Sequence, residues 1–392
     1  MTDALSRHVL FLNWRDTRHP EGGGSEVYIE RVAAEMAARG YTSTIFCQAY
    51  AGAPAEETKA DGVRVVRRGG RHTVYLFAAL VYLAGALGFG PLSGRRLGRP
   101  DLIVDVCNGL PFLSRLYARR PVVALVHHVH REQWRVIFGP VPARIGWWIE
   151  SRLAIRVYRG CRYVTVSESS RDELVGLGVD ADRITIIRNG TPAAVGPPVA
   201  RTDHPSLLVL GRLVPHKRVE LALRATALLS LEMPTLQLVV AGQGWWEAPL
   251  RRLAADLGIE DRVRFTGFVS EEDKHALLCR SWLAVTPSIK EGWGLTIVEA
   301  AAHGTPSVAF RSAGGVCEAI VDGRTGLLVD DELEFLKAVR RLLRDADRRA
   351  GMGGAARNYA RRFTWDVSAA AFAGVVADQL PRTSTTQDQR VP

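Results

Sequence analysis

The sequence predicts an α/β protein made of two halves, each a parallel β-sheet covered by helices on both faces. Three observations predict it. Short apolar runs alternate with longer helix-like runs along nearly the whole chain, the rhythm of β-α-β units. Those runs are continuously apolar, as strands buried on both faces require. The rhythm weakens once, at residues 196–205 (G-P-P-V-A-R-T-D-H-P), and then restarts, so that 392 residues divide into two domains of ordinary size.

Taken in order, residues 9–12 read as the first strand, followed by a glycine loop and a helix over 25–39. Strands are expected at 42–46, 63–66, 102–106, 122–126 and 163–166, with a helix near 142–159. Beyond the linker, strands are expected at 206–210, 236–241, 263–265, 283–286, 307–310 and 326–329. Helices are expected at 219–229, from 293 onward, and at 332–344, 348–363 and 365–380, before a polar tail, 381–392, that reads as disordered. The domain boundaries follow: 1–195, a linker at 196–205, 206–363, a last helix within 364–380, and the tail. Two such halves enclose a cleft, and ligands in these folds bind outside the carboxyl ends of the strands.

The net charge of +10 is uneven: residues 1–200 hold 26 Lys and Arg against 18 Asp and Glu, residues 201–392 hold 25 against 23. A basic first half suits a phosphorylated ligand, an anionic membrane or nucleic acid. No zinc-finger, RNP-type or homeodomain-like pattern is present, so nucleic acid is not expected. Five scattered cysteines without C-x-x-C spacing argue against a disulfide framework or a zinc site and fit a reducing cytosol. Residues 1–8 lead straight into the first strand, so no signal peptide is expected.

Residues 74–92 are almost free of polar groups and are flanked by Arg67, Arg68, Arg71, Arg95, Arg96 and Arg99. A membrane span would split the first sheet. A buried helix with a loop, and a surface helix whose apolar face dips into a membrane with arginines on anionic headgroups, are the other two readings.

The motif richest in chemistry is E-G-W-G-L-T-I-V-E, Glu291 to Glu299. A helix starting near Trp293 would aim free N–H groups and its positive dipole end at a phosphate. Glu291, on the incoming loop, could accept hydrogen bonds from a polyol, and Glu299, about two turns into the helix, could meet a second hydroxyl-bearing group. An acidic, solvated helix start is the plainer reading of the same pair. G-G-G-S-E, 22–26, lets the first βα loop approach a ligand closely but lacks dinucleotide-fingerprint spacing; a flexible loop with Ser25 as cap fits equally. In G-R-L-V-P-H-K-R, 211–218, Arg212 and Lys217 could share one anion, or form a solvated basic loop. In V-H-H-V-H, 126–130, alternation places His127 opposite His128, which suits a cleft contact better than a metal. Asp101 and Asp105 do not form D-x-D, and Trp147 and Trp148 read as core or interface residues.

Together these motifs resemble the retaining GT-B glycosyltransferases of glycosyltransferase family 4. The series runs through G-G-x-E (Gly23, Gly24, Glu26), T-V-S (165–167), I-R-N-G (187–190), G-R-L-V-x-x-K (211–217), A-G-x-G (241–244), G-F-V (267–269), E-x7-E, G-G-x-x-E (314–318) and D-G-x-x-G (322–326). The resemblance implies two Rossmann-like domains facing a cleft, the first for the acceptor and the second for the donor, with the last helix packing back on the first. It implies that Arg212 and Lys217 hold the donor diphosphate and that Glu291 contacts the donor sugar. The backbone of Trp293, Gly294, Leu295 and Thr296 would bind sugar or phosphate oxygens, Glu299 the ribose, and the backbone at Val269 the base. Gly23 and Gly24 would close over the phosphates, and His127 or His128 would face the sugar.

The implied activity is transfer of a hexose, with retention, from a nucleoside-diphosphate sugar to an acceptor hydroxyl, on a lipid-linked or other glycan acceptor. No cofactor and no divalent metal are expected, the two cations serving the leaving group. The enzyme would be cytoplasmic, or peripheral on the inner membrane face. The rivals are a GT-B sugar phosphorylase, a sugar-nucleotide synthase, and a non-catalytic sugar-nucleotide- or membrane-binding module.

Overall fold

The computed structural model describes residues 7–93, 99–191 and 199–380. The expected tail, Arg95, Arg96 and the first part of the expected linker lie outside these residues. The first half forms an eight-stranded sheet from β1 (His8–Leu12), β2 (Thr42–Cys47), β3 (Glu56–Thr58), β4 (Arg64–Arg67), β5 (Leu102–Val106), β6 (Val122–Val126), β7 (Arg162–Thr165) and β8 (Ile184–Ile186). Its order is β3-β4-β2-β1-β5-β6-β7-β8, parallel except where β3 pairs antiparallel with β4. The second half is a six-stranded sheet of β9 (Ser206–Leu210), β10 (Gln237–Ala241), β11 (Val263–Gly267), β12 (Leu283–Thr286), β13 (Ser307–Phe310) and β14 (Gly326–Val329). Its order is β11-β10-β9-β12-β13-β14, with every pair parallel. These are the two parallel sheets of a GT-B protein. The central strands β1, β5 and β6 are buried at every residue, which is why they read as unbroken apolar runs.

β3 and β8 escape the sequence pattern for a physical reason. Both are three-residue edge strands, E-E-T and I-T-I, and neither has a fully buried residue. The helices Glu168–Gly176 and Glu271–Arg280 were not expected either; each is started by a serine, Ser167 or Ser270, whose hydroxyl accepts a backbone N–H three residues on. The helix expected near 142–159 runs from Pro140 to Trp148 and continues through a wider π-type stretch, Ile149–Ala154. That wider turn carries Glu150, whose carboxylate holds His130 and Trp134.

The apolar stretch at 74–92 is one thirteen-residue helix, Val74–Ala86, and a following loop. Val74, Ala78, Tyr82 and Gly85 face the core, whereas Leu76, Leu80, Leu83, Leu87 and Phe89 face outward, Leu87 at 77% exposure. The buried-helix reading therefore describes only one side of it. Among the described residues no helix is long and apolar enough to cross a membrane.

The helix Trp365–Gln379 returns to the first half. Phe372 stacks on Phe11 of β1 at 6.0 Å, and Trp365 meets Tyr28 edge-on at 6.2 Å. Thr191 N donates to Phe363 O at 3.0 Å, tying the end of the first half to the same segment. One apolar core thus runs from β1 through Trp365 and Phe372 to Trp293 and Ile297 of the second half.

Candidate active site

The site lies where loops after β1, β6, β9 and β12 meet. The helix Leu295–Ala302 starts one residue after Gly294, which sits at φ +88°, a conformation favouring glycine. The start expected at Trp293 is thus displaced by two residues. Glu299 stands little more than one turn into the helix, not two. The N–H groups of Leu295 and Thr296 have no acceptor among the described residues, leaving them free for an anion. The side chain of Trp293 belongs to the core instead: it is buried against Phe363 at 5.0 Å, with the Arg188 guanidinium 5.6 Å from its ring centre.

Glu291 sits on the loop before that helix, its backbone bridged to Gly314. Its Oε1 accepts from Lys217 Nζ at 2.6 Å and from Ser288 Oγ at 2.7 Å. Burial pushes its pKa up, but Lys217 and Ser288 outweigh it, and the carboxyl is held below its ordinary value. Lys217 ends a short turn, Pro215–Lys217, after β9. Arg212 stands on the same loop, exposed, with no hydrogen bond or ion pair among the described residues. Between the two lies His216, buried with Nδ1 unpartnered and driven down to about 3 by burial and its two cationic neighbours.

The first half reaches the same place. Gly23 caps the helix Gly24–Ala38, and its N–H donates to Glu26 Oε2 at 2.7 Å, so that donor is not free for a ligand. Ser25 is not the cap; its hydroxyl donates to Glu26. A methyl on Gly23 would lie 3.3 Å from Arg212 Nε, and one on Gly24 3.5 Å from Leu295 Cδ2. Gly23, Gly24, Arg212 and the Leu295 helix start are therefore one cluster. Gln243 Nε2 donates to Pro20 O at 2.8 Å, closing the same edge.

His127 and His128 follow directly on β6 and separate as alternation requires. His127 is buried, edge-on to Tyr28 at 5.2 Å, with Nε2 unpartnered; burial and His130 push its pKa down to about 4, so it is neutral. His128 is half-buried, and its Nε2 pairs with Gln133 Oε1 at 3.0 Å. Both meet the Glu291 loop: a methyl on Gly292 would lie 2.5 Å from His127 O and 3.4 Å from His128 Nδ1.

Two predicted residues stand apart from this cluster. Glu299 is buried, and its Oε1 accepts from Lys274 Nζ at 2.8 Å; burial holds its carboxyl above the ordinary value despite that lysine. Val269, past β11, packs on the apolar group that contains Ala300, beside Glu299. The pair thus lies together, apart from the cluster of Arg212, Lys217 and Glu291.

Two residues were missed. Lys274 lies in an E-E-D-K run that reads as a solvated helix face, and nothing local signals its pairing with Glu299 twenty-five residues on. Arg15 follows β1, buried with Nε unpartnered, its Nη1 on Glu21 at 2.7 Å and its pKa lowered by burial, with Arg212 adding to the lowering. A basic residue just past the first strand was the available signal.

Known proteins resemble the chain over nearly its whole length. The model for "Glycosyl transferases group 1" matches residues 196–359, and that for "Glycosyl transferase 4-like domain" matches residues 23–190. The chain is 31% identical to a D-inositol 3-phosphate glycosyltransferase of Acidothermus cellulolyticus, covering 95% of this chain and 89% of that one. It is 32% identical to a GDP-mannose-dependent alpha-(1-6)-phosphatidylinositol monomannoside mannosyltransferase of Mycolicibacterium smegmatis, covering 87% and 91%. Among solved structures, sucrose-phosphate synthase from Thermosynechococcus elongatus superposes with a TM-score of 0.80 at 19% identity, covering 95% and 98%, a likeness of fold.

Proposed function

The chain belongs to the glycosyl transferases group 1 family, with a 4-like first domain, and on that premise we propose that it moves a hexose, with retention, from a nucleoside-diphosphate sugar to a hydroxyl of a phosphoinositol, free or lipid-linked. That it is a glycosyltransferase follows from the family. The donor and acceptor are carried over from its relatives. The observation that carries the assignment of the site is the convergence of Arg212, Lys217 and the free N–H groups of Leu295 and Thr296 beside Glu291.

In this reading the diphosphate sits on Arg212, Lys217 and the helix start. As the glycosidic bond breaks, negative charge grows on the departing phosphate, where two cations and aligned N–H groups lower its energy. They do so without a divalent metal. Glu291 accepts from hydroxyls of the transferred sugar, and Ser288 and Lys217 hold its carboxylate in place. His127, neutral with Nε2 unpartnered, faces the same sugar. Glu299 and Lys274 hold the ribose, and the backbone near Val269 the base. The acceptor hydroxyl attacks from the leaving-group face, and its proton goes to a departing phosphate oxygen. The close approach of Gly292 to His127 keeps water from the sugar while the halves are together, and they must part to admit donor.

The outward face of the helix Val74–Ala86, with Arg71 before it and Arg99 after it, supports peripheral docking on an anionic cytoplasmic membrane face, which would present a lipid-linked acceptor.

The test is a matrix of UDP- and GDP-hexoses against inositol phosphates and phosphatidylinositol vesicles, with product stereochemistry read by NMR. A retained anomeric configuration on an inositol hydroxyl is the expected result. An inverted product, donor hydrolysis alone, or sugar 1-phosphate made from inorganic phosphate would overturn it.

A further inference from the structure

Between the helix Glu271–Arg280 and the end of the Leu295 helix, three side chains converge that the proposed transfer reaction does not use. His275 and Cys279 stand one turn apart on the helix Glu271–Arg280 and therefore share a face. His303 caps the end of Leu295–Ala302. His275 Nδ1 lies 2.7 Å from His303 Nε2, and Cys279 Sγ lies 3.7 Å from His275 Nε2. One ligand atom from each of the three falls within 4.8 Å of the others.

The hydrogen bonds fix which atoms carry lone pairs. His303 Nδ1 is 2.7 Å from the Glu299 carbonyl, which can only accept, so Nδ1 carries the proton and Nε2 is bare. His275 must then donate from Nδ1 to His303, which leaves His275 Nε2 bare towards Cys279. A ring nitrogen oriented by a backbone carbonyl through its other N–H is the usual arrangement around protein-bound metals. All three residues are half-buried, which leaves an entry path.

We propose that His275, Cys279 and His303 form a binding site for a zinc-class divalent metal, with water completing four-coordination. Two imidazoles and one thiolate suit zinc or its neighbours and not magnesium or calcium, which take oxygen ligands. Four-coordination needs ligand atoms roughly 3.3–3.8 Å apart, given bond lengths of about 2.0–2.3 Å. Metal binding replaces the hydrogen bond that His303 Nε2 accepts from His275 Nδ1: the His303 lone pair goes to the metal, and the His275 ring turns to bring its own bare Nε2 to the same ion. Binding is a simple exchange: the metal gains the thiolate sulfur, and the thiol proton leaves to solvent. The site lies outside the donor cluster, so it does not replace the cations at the diphosphate. Its effect is to clamp the helix carrying Lys274 to the helix carrying Glu299.

The experiment uses the untagged full chain, stripped of metal and titrated with Co²⁺ alone. The expected result is saturation at one equivalent, with the visible bands of four-coordinate cobalt and a near-ultraviolet thiolate-to-cobalt band, both removed by Zn²⁺. Cys279→Ser should lose the thiolate band, and His303→Gln should weaken binding at least ~10-fold. A Zn²⁺ concentration that just saturates the wild type should raise its Tm by several degrees and those of the variants by clearly less. Melting the metal-free variants checks that they fold. No saturable binding, an unchanged thiolate band in Cys279→Ser, or an equal Zn²⁺ shift in all three proteins would overturn the site.

Discussion

Lys217 Nζ and Glu291 Oε1 lie 2.6 Å apart although 74 positions separate them in the chain. The pair joins the loop after β9 to the loop after β12, so the cation proposed for the donor phosphate also holds the carboxylate proposed for the donor sugar. Arg212, on the same loop, is exposed and has no ion pair among the described residues. The two cations should therefore fail differently. Lys217→Ala leaves Glu291, 14% exposed, without its cation; with both groups partly solvated, the loss of stability should be about 1–2 kcal/mol. Arg212→Ala should stay within ~0.5 kcal/mol of wild type. Both should lower kcat/KM by at least ~100-fold, a charge-assisted contact to the leaving group being lost in each. Urea melts and initial rates separate the two effects, and full transfer activity in either variant would refute its leaving-group role. In Lys217→Met the carboxyl of Glu291 loses the interaction that holds it low, so the acid limb of the rate profile should move to higher pH.

Gly292 packs closely on the end of β6, beside the proposed reacting region. An alanine there would place its methyl 2.5 Å from His127 O, a backbone atom that cannot step aside. Gly292→Ala should keep the fold but hold the halves apart, with kcat down ~100-fold or more and the donor still bound. Donor affinity by calorimetry beside single-turnover rates checks this. Wild-type kcat would show that transfer does not need this contact.

The fold was largely legible because its central strands are buried on both faces and so announce themselves as apolar runs. The loops that carry Gly23, Arg212, Lys217 and Glu291 were legible because motif order carries them. What escaped depends on contacts far apart in sequence. Lys217 reads as a cation for phosphate, and its second partner, Glu291, is invisible until β9 and β12 lie side by side. Lys274 reads as surface, yet it neutralises Glu299. Trp293 looks like part of the helix start, but Gly294 ends the loop one residue later and leaves the indole in the core. The stretch at 74–92 is apolar all round, so its periodicity could not show that one face is left open.

His127 is neutral and buried, with its pKa pushed down to about 4 from an ordinary value near 6.5. Between those values the unfolded chain takes up a proton that the folded one refuses, so stability is complete above about pH 6.5 and falls with acidity towards pH 4. His216, held at about 3, acts in the same direction over a window reaching lower. Each should cost about 2 kcal/mol between pH 7 and pH 5. Denaturant unfolding at both pH values in wild type and His127→Asn tests it: the variant should lose about 2 kcal/mol less. An equal loss would mean that His127 titrates normally in the folded protein.

The open face of the helix Val74–Ala86 separates membrane docking from stability. Leu80 and Leu83 are half-exposed, 51% and 45%, and lie on the side opposite Ala78 and Tyr82. Replacing both with aspartate removes little core packing, so the Tm should move by only a few degrees. Docked in a membrane, each leucine would shed the remainder of its exposed apolar surface, worth about 1 kcal/mol or more. A new negative charge would also stand against anionic headgroups. Co-sedimentation with phosphatidylglycerol-rich vesicles should therefore fall at least ~10-fold for Leu80→Asp/Leu83→Asp, while transfer to a water-soluble inositol phosphate stays at the wild-type rate. Raising the salt should weaken wild-type binding through Arg71 and Arg99 without abolishing it, since the apolar term is not screened. Vesicle binding equal in wild type and variant would remove this helix as the docking face.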